Sequence, residues 1–449
     1  MSIIRGTPSR YTSSCRPRRP VRIRVAAMLA AALPLVTSPV IAVGTDGTLG
    51  LDEAVTLAIQ HNPSLAGMRA QVEAAGTMPS QARALPDPML SVNFMNLPTD
   101  GFALDQEPMT QVQLAVTQQL PFPGKRGLQH RVAMHKVDAA EAMLGDRESR
   151  LAGQVRAAWW RLMNLDRALQ IVEQNKELMR DFVEIAQTKY KVGSGLQQDV
   201  LLAQLELSRL LDRELKLTGI RRAAEAEMNA LLDRPPGRAV ALPAMPANRN
   251  LPDLPPREML LQQAADTRSL IAVQRELVEA ARARLDLARK DRYPDLRVGV
   301  GYGYRQDDPL TRQDRADFLS IMLTVTLPIF AGAKQDKAVE QRAHEVTQQN
   351  FALHDTLRQV ESEVERSVAE YEAARDQVSL LETAIIPQAQ QTVASMLAGY
   401  QVNQVDFLNL VNTQLTLYNA QINYWDSLSS AKQALARLAV ATGAETIYE

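Results

Sequence analysis

The chain has 449 residues, of which 46% are apolar and 5% aromatic, and its formal net charge is −1. Seven of its 50 basic residues are arginines within the first 42 positions, where there is no acidic residue. With these seven removed, 43 basic residues face 51 acidic ones, a net charge of −8. That balance excludes a nucleic-acid-binding protein, which needs a basic surface. No stretch after residue 44 has the roughly 18 apolar residues of a membrane-spanning helix, which excludes an inner-membrane transporter.

The first 42 residues have the order of an export signal. An arginine-rich start is followed by an apolar run at 25–36, and small side chains precede a cleavage point after Ala42. We therefore predict a signal peptide at residues 1–42. The only cysteine, Cys15, lies within it. The mature chain would then have no disulfide, no thiolate metal site and no cysteine nucleophile.

The rest of the chain contains a repeat. Four short motifs recur in the same order at offsets of 205 to 210 positions, which predicts an internal duplication. The matching pairs are Ser64-Leu65 with Ser269-Leu270, Leu85-Pro86-Asp87 with Tyr293-Pro294-Asp295, Leu120-Pro121 with Leu327-Pro328, and Tyr190-Lys191-Val192 with Tyr400-Gln401-Val402. We predict a first repeat at 43–232 and a second at 258–449. The linker at 233–257 holds seven prolines, which forbid helix and favour an extended connection.

Each repeat has the same predicted elements: a helix, two strands, a very long helix, a short break and another helix. The first helices are predicted at 51–85 and 258–292, and the last at 196–232 and 407–442. The long helices are predicted at about 125–189 and 335–398. About 60 residues at 1.5 Å per residue give roughly 90 to 100 Å, which indicates a coiled-coil column rather than a compact domain.

The four predicted strands lie at about 88–96, 110–120, 296–305 and 318–327. Each alternates between apolar residues on one side and polar residues or glycine on the other, which is typical of a transmembrane β-barrel. A half-buried sheet packed on helices gives the same alternation. The export signal and the lack of a spanning helix favour the barrel. Because four strands cannot close a barrel and open edges are unstable in lipid, two, three or four chains must share it.

The sequence resembles the outer-membrane efflux protein family, the TolC-like channels. The resemblance rests on the doubled order of elements and on LPFPGKR at 120–126, LPIFAG at 327–332, YKVGSG at 190–195 and LYNA at 417–420. It implies an α+β membrane protein. The fold would be a homotrimer with a shared 12-stranded outer-membrane β-barrel, four strands per chain, and a long α-helical coiled-coil periplasmic barrel.

The resemblance also implies partners. Such channels work with a periplasmic adaptor (membrane fusion protein) and an inner-membrane RND-type pump, as the passive outer-membrane component of a tripartite efflux system. The sequences PDP at 86–88 and PFPGKR at 121–126, with methionines near the first strands, resemble the CusC- or CzcC-like branch that exports heavy-metal cations. Alternatives are a conduit for multidrug efflux or type I protein secretion, and, in a different class, a soluble periplasmic coiled-coil adaptor or scaffold.

The breaks between paired helices are predicted to be periplasmic tips that dock the adaptor, or turns without a partner. Polar residues just beyond them would form rings at a pore entrance in an oligomer. The acids among them could instead be first-turn helix residues placed for the helix dipole. The turn residues are Val192, Gly193, Ser194 and Gly195, then Val402, Asn403, Gln404 and Val405. The ring residues are Asp199, Asp406, Asn409 and Asn412.

Relatives often carry acids at the positions of Asn409 and Asn412, and a basic residue at that of Val405. The resemblance therefore implies an entrance held by hydrogen bonds rather than by charge.

No catalytic, cofactor or metal site is predicted. The glycines of GVGYG at 299–303 alternate within a strand, so they are not a dinucleotide-binding turn. Met89, Met95 and Met109 are scattered, and His130 and His135 are five residues apart on a helix, which places them on different faces. The sequence predicts a conduit and not an enzyme.

Overall fold

The computed structural model describes residues 47–246, 248–308, 313–444 and 447–448. The predicted signal peptide at 1–42, with Cys15, lies outside these ranges. The first half contains α1 (Leu51–His61), α2 (Pro63–Gly76), α3 (Met78–Arg83), β1 (Met89–Met95), β2 (Gln111–Leu120), α4 (Lys125–Lys191) and α5 (Gln197–Leu231). The second contains α6 (Arg257–Thr267), α7 (Ser269–Lys290), β3 (Leu296–Tyr304), β4 (Phe318–Val325), α8 (Gln335–Leu380), α9 (Ile386–Gln401) and α10 (Phe407–Thr442).

The single helix predicted at 51–85 is wrong, because the structure divides it into α1, α2 and α3. The first break is at Asn62, whose side-chain oxygen accepts a hydrogen bond from the Ser64 backbone N–H at 3.0 Å. Pro63 then opens α2 and Pro79 lies in the first turn of α3. Proline lacks the N–H that a helix interior needs, so each of these prolines marks a helix start.

The single helix predicted at 258–292 is also wrong. It breaks at Arg268, between α6 and α7, where no proline or glycine gives a signal. Arg268 is buried there. Its guanidinium contacts Asp146 of α4 at 3.0 Å and donates to the Val440 carbonyl of α10 at 2.5 Å. The break thus lets one buried arginine join three long elements, a cause that lies in tertiary contacts rather than in local sequence.

The long helices form as expected from their periodicity. α4 has 67 residues, and a rise of 1.5 Å per residue makes it about 100 Å long. In the second half, α8 and α9 are joined by a π-helical turn (Leu381–Ile385) rather than by a break. Pro387 is the second residue after this turn. Because proline has no backbone N–H, it cannot make the α-helical hydrogen bond to residue 383 within the turn. None of the helices in the described ranges is both long and apolar enough to cross a membrane.

The core lies where α4 packs against α5, α7 and α10. Two adjacent tryptophans in α4 are its largest buried side chains. The Trp159 indole donates to the Leu49 carbonyl at 2.9 Å, and that of Trp160 donates to the Tyr448 hydroxyl at 2.7 Å. Residues from both ends of the described chain are therefore fixed to the middle of the longest helix.

The four strands form one antiparallel sheet in the order β1-β2-β3-β4. Its apolar face is exposed in the single chain, and Ile321 in β4 is 83% exposed. The exposed apolar residues of this face are Leu90, Val92, Phe94, Leu114, Val116, Leu296, Val298, Val300, Tyr302, Tyr304, Leu319, Ile321, Leu323 and Val325. The predicted face alternation is therefore present, but none of the helices in the described ranges covers the apolar side. That rules against a half-buried sheet packed on helices.

The polar face of the sheet is crowded and depends on glycine. Gly301 and Gly303 of β3 lie beside Gln111 and Gln113 of β2, which are buried. A Cβ on Gly301 would come within 2.8 Å of the Gln113 side-chain nitrogen. The absence of a side chain at these glycines leaves room for the glutamine side chains of β2. The alternating glycines therefore have a packing role.

We expect an arginine on the apolar face of the sheet to prevent outer-membrane assembly. Ile321→Arg places a charge where the alternation predicts lipid, at a cost of about 2 to 4 kcal/mol near the bilayer midplane. Ser320→Arg is the matched control, because Ser320 is the neighbouring residue on the opposite face. Recovery of each variant in the outer-membrane fraction measures the effect. Equal recovery of both variants would contradict lipid contact at Ile321.

Candidate functional site at the hairpin tips

The turns between α4 and α5 and between α9 and α10 have the same backbone geometry. Each has a residue in the left-handed region, Gly193 with φ +76° and Asn403 with φ +60°. Each turn has the paired hydrogen bonds of a Schellman helix end. These are Gly193 N–H to Tyr190 O at 3.0 Å, Ser194 N–H to Lys189 O at 2.9 Å, Asn403 N–H to Tyr400 O at 3.2 Å and Gln404 N–H to Gly399 O at 2.9 Å. Glycine and asparagine tolerate this backbone conformation, which explains why the two turns match.

At the base of each turn a glycine packs against a larger residue, and the glycine lies after the turn in one case and before it in the other. In the first turn Gly195 lies against Lys189, and a Cβ on Gly195 would be 2.8 Å from the Lys189 Cβ. In the second, Gly399 lies against Val405, and a Cβ on Gly399 would be 2.6 Å from a Val405 methyl carbon. Lys189 of α4 fills this space in the first turn, and Val405, just before α10, fills the equivalent space in the second. Turns of equal backbone shape therefore present different side chains.

Lys189 is the cation of this site, and sequence analysis missed it. Its ammonium donates to the Tyr400 carbonyl at 2.5 Å and to the Asn403 side-chain oxygen. It also lies 4.3 Å from the centre of the Tyr400 ring, within cation–π distance. Lys189 thus joins the first hairpin to the second turn. The resemblance implies a basic residue at the position of Val405, but the structure supplies the cation from a position 216 residues earlier in the sequence.

Asp199 lies beneath the surface, in the first turn of α5, where it is 8% exposed. Burial raises the pKa of its carboxyl group above the ordinary value, and the negative charge of Asp406 acts in the same direction. The backbone hydrogen bond with Leu196 and the charge of Lys189 oppose this shift. Burial together with the charges of Asp199 and Asp406 raises the pKa of Tyr400 to about 12. The site therefore holds two acids near one buried phenol.

Asp406, Asn409 and Asn412 lie on an exposed stripe at the start of α10. Asp406 is the N-cap residue, and its side chain makes no capping hydrogen bond. The backbone oxygens of Asn409 and Asn412 accept hydrogen bonds from Thr413 and Thr416, at 2.8 and 2.9 Å. Both asparagine residues are exposed, so another molecule or chain could contact them. Asp199 is set behind this stripe.

One group of side chains in the described ranges has the spacing of a metal site. Ligand atoms of His135, Asp138 and Glu276 lie within 4.8 Å of one another. The His135 Nδ1 atom is already 2.8 Å from a Glu276 oxygen, so the pair holds α4 to α7 without an ion. Sequence analysis could not find this contact, because Glu276 is 141 positions from His135.

Comparisons with known proteins identify relatives of the whole arrangement. The sequence model of the outer membrane efflux protein family matches residues 54–234 and 260–444. The cobalt-zinc-cadmium resistance protein CzcC of Cupriavidus metallidurans is 22% identical over 399 residues, which cover 86% of this chain and 88% of CzcC. The alkaline protease secretion protein AprF of Pseudomonas aeruginosa is 22% identical over 312 residues, which cover 66% of this chain and 62% of AprF. A crystal structure of CusC shares the fold, with a TM-score of 0.74 and 17% identity over 90% of this chain and 96% of CusC.

We expect the tip of the first hairpin to become less stable as the pH rises above the acid range. The pKa of Asp199 is higher in the folded chain than in the unfolded chain, so the folded state retains its proton more strongly. The stability due to that proton is present at low pH and is lost as the pH rises through the folded-state pKa. Asp199→Asn should remove this dependence. Amide hydrogen exchange of residues 186–206, corrected for the intrinsic effect of pH, measures it.

Asp181→Asn is the control for this measurement, because it removes an exposed carboxylate from the same hairpin. This variant should keep the dependence of the unchanged chain. If Asp199→Asn kept it too, the buried carboxylate would not be its source.

Proposed function

Because the chain belongs to the outer membrane efflux protein family, we propose that it is the channel component of a tripartite efflux system. Family members are outer-membrane channels with a helical extension into the periplasm, and they are passive conduits rather than enzymes. The chain is accordingly an outer-membrane protein and carries no catalytic role. In the proposed system it works with a periplasmic adaptor and an inner-membrane RND-type pump, which supplies the energy.

The exposed apolar face of the four-stranded sheet is the observation that carries this proposal. A row of apolar side chains of this size on an exposed face is unfavourable in water but favourable in lipid. The edges of the sheet then require partners, because unpaired backbone N–H and C=O groups are unstable in a bilayer. Three copies of the chain satisfy both conditions with a barrel of 12 strands, four from each copy.

The proposed internal duplication explains the rest of the architecture. The first repeat at 43–232 and the second at 258–449 are separated by the proline-rich linker at 233–257. The family model matches one segment in each, and both contain the order helices, two strands, a long helical stretch, a turn and a last helix, which has 35 residues in α5 and 36 in α10. The long helices would then continue the barrel as a helical tunnel across the periplasm.

The two tips are the proposed contact with the adaptor. Val192 and Val402 occupy corresponding positions at the turns and are 72% and 64% exposed. Two apolar side chains held at the ends of rigid hairpins suit a second apolar tip better than they suit water. Gly193, Ser194, Gly195, Asn403, Gln404 and Val405 would form the polar and close-packed surroundings of these contacts.

The start of α10 is the proposed pore entrance. In a symmetric trimer, Asp406, Asn409 and Asn412 would each become a ring of three, with Asp199 behind them. A ring of carboxylates favours cations and a ring of amides narrows the pore without charge. Lys189 is held within its own chain by Tyr400 and Asn403. The entrance would therefore be closed mainly by hydrogen bonds.

We propose heavy-metal cations as the exported substrate. The similarity to the cobalt-zinc-cadmium resistance protein CzcC, which covers most of both chains, supports this choice. The similarity to the alkaline protease secretion protein AprF supports protein export as the second candidate, over a smaller share of each chain.

Deletion of the gene should increase sensitivity to Co²⁺, Zn²⁺ or Cd²⁺ at least several-fold, and expression of the chain should reverse it. Growth on graded metal concentrations is the measurement, with sensitivity to organic antibiotics and amounts of secreted protein recorded in parallel. A strain that loses only antibiotic resistance or only secretion would assign the conduit to that substrate class instead. Unchanged behaviour in all three assays, with the chain present in the outer membrane, would contradict an efflux role.

We expect Val192→Asp with Val402→Asp to weaken adaptor binding and to reduce export at least tenfold. Burying a valine side chain is worth about 1.5 kcal/mol or more, and a charge in the contact would have to lose its water. Co-purification with the adaptor and the export assay measure the effect. Gln204→Asp with Ser395→Asp adds the same charges at exposed polar positions of the same two hairpins, outside the turns, and should change both readouts little. Equal loss with both pairs would exclude an apolar contact.

A further inference from the structure

A buried contact joins the two halves of the chain where the sheet meets the helices. Lys125, the first residue of α4, is 6% exposed. Its ammonium lies 2.9 Å from the Asp295 carboxylate, just before β3, and 3.2 Å from that of Asp291. The same Asp295 oxygen accepts a hydrogen bond from the Phe122 backbone N–H at 2.8 Å. The corner between β2 and α4 is thus fixed to the corner between α7 and β3.

The repeat places the same two chemical groups at equivalent corners, where they are unpaired. Asp87 precedes β1 as Asp295 precedes β3. Lys334 directly precedes α8 and lies seven residues after Leu327, whereas Lys125 begins α4 and lies five residues after Leu120. Both side chains are exposed. Within the described ranges neither side chain forms a hydrogen bond or ion pair. Each edge of the sheet therefore carries one of the two charged groups that form the contact inside the chain: Asp87 beside β1 and Lys334 after β4.

The edges of the sheet lie at these same two corners. β1 and β4 are the outermost strands, and each has one neighbour within the described part of the chain. Because successive strands alternate in direction, β4 runs antiparallel to β1. Joining β4 of one copy to β1 of another would therefore continue the antiparallel pattern without interruption.

We propose that neighbouring copies of the chain join by repeating the contact between its halves. In this interface β4 of one copy pairs with β1 of the next, and Lys334 of the first copy forms an ion pair with Asp87 of the second. The proposal rests on the shared barrel of the proposed function and adds its residues and register. The occupant of each sheet edge is a second copy of this chain.

The register follows from the pairing of β2 with β3, where Val116 lies opposite Val300 and Val112 opposite Tyr304. The Leu-Pro motifs relate β2 to β4 by 207 positions, and the Pro-Asp motifs relate β1 to β3 by 208. Applying these offsets places Ile321 opposite Phe94, Leu323 opposite Val92 and Val325 opposite Leu90 of the neighbouring copy. All six side chains belong to the exposed apolar face. A shift of one residue would bring the polar face to lipid, so the apolar pattern also favours this register.

Disulfide cross-linking tests the register. The mature chain is predicted to lack cysteine, so Phe94→Cys with Ile321→Cys supplies the only thiols. Oxidation should convert most of the protein in native outer membranes into covalent oligomers that reducing agent dissolves. Leu90→Cys with Val325→Cys is a second pair at the other end of the strands. Leu90→Cys with Ile321→Cys is the control, since its thiols would be four residues, about 13 Å, out of register.

The outcomes separate this proposal from the proposed function. Cross-linking of both test pairs, without the control pair, supports the register. Cross-linking of the control alone, or of no pair in a strain whose export is intact, overturns the register and leaves the channel standing. If the unchanged chain forms no oligomer and exports nothing, the proposed function fails instead.

Charge exchange tests the ion pair. Lys334→Asp and Asp87→Lys should each reduce the fraction of chain recovered as detergent-resistant oligomer at least several-fold, because each places like charges opposite one another. The double variant should restore most of the loss. Lys337→Asp is the control, because Lys337 pairs with Glu340 of its own helix and should affect oligomer recovery little. Single variants that behave as the control does, or a double variant that adds the two losses, would overturn the ion pair.

Discussion

The sheet of this protein can be stable only if other molecules complete it. Its apolar face is exposed, and its two outer strands present backbone N–H and C=O groups that have no neighbour within the described chain. Water would satisfy the backbone groups but not the apolar face, and lipid would satisfy the face but not the backbone groups. Lipid on the face and further strands on the edges satisfy both. Membrane location and assembly are therefore one requirement rather than two.

The helices transmit that requirement across a long distance. α4 begins at the sheet with the buried Lys125 and ends about 100 Å away at the first tip. Between these points, the tryptophan pair fixes α4 to both ends of the described chain, and the buried Arg268 fixes it to α10. A helix that is fixed at several points along its length is stiff. The position of the turn at the end of α4 therefore depends on the position of the sheet at its start.

The sequence allowed prediction of features that depend on periodicity. The alternation of the four strands and the length of the helices are local patterns, and the structure contains elements at these positions. The breaks at Asn62 and Thr77 have a local signal, because a proline lies in the first turn of the helix that follows each. The break at Arg268 has none, because its cause is the buried contact with Asp146 of α4. Local patterns thus define elements, whereas the places where elements interrupt one another depend on tertiary contacts.

The candidate site shows the same limit more sharply. Asp199, Asp406 and the turn residues could be selected from the sequence because they follow the breaks between helices. Lys189 could not, because it lies inside a helix among other charged residues. Its role appears only when Tyr400 and Asn403 are brought beside it. The resemblance to the family leads to Val405 as the basic position and misses Lys189, because the two turns share a backbone shape but not their side-chain chemistry.

That difference between shape and chemistry has a consequence for the proposed channel. The two turns share their hydrogen bonds, so three copies would present six tips of nearly equal shape. Their interiors differ, since one is filled by Lys189 and the other by Val405. Partners that recognise backbone shape and the exposed valines could contact all six tips alike. Partners or ions that respond to charge would distinguish the three tips that contain Lys189 from the three that contain Val405. A duplicated chain can in this way combine sixfold docking with a threefold entrance.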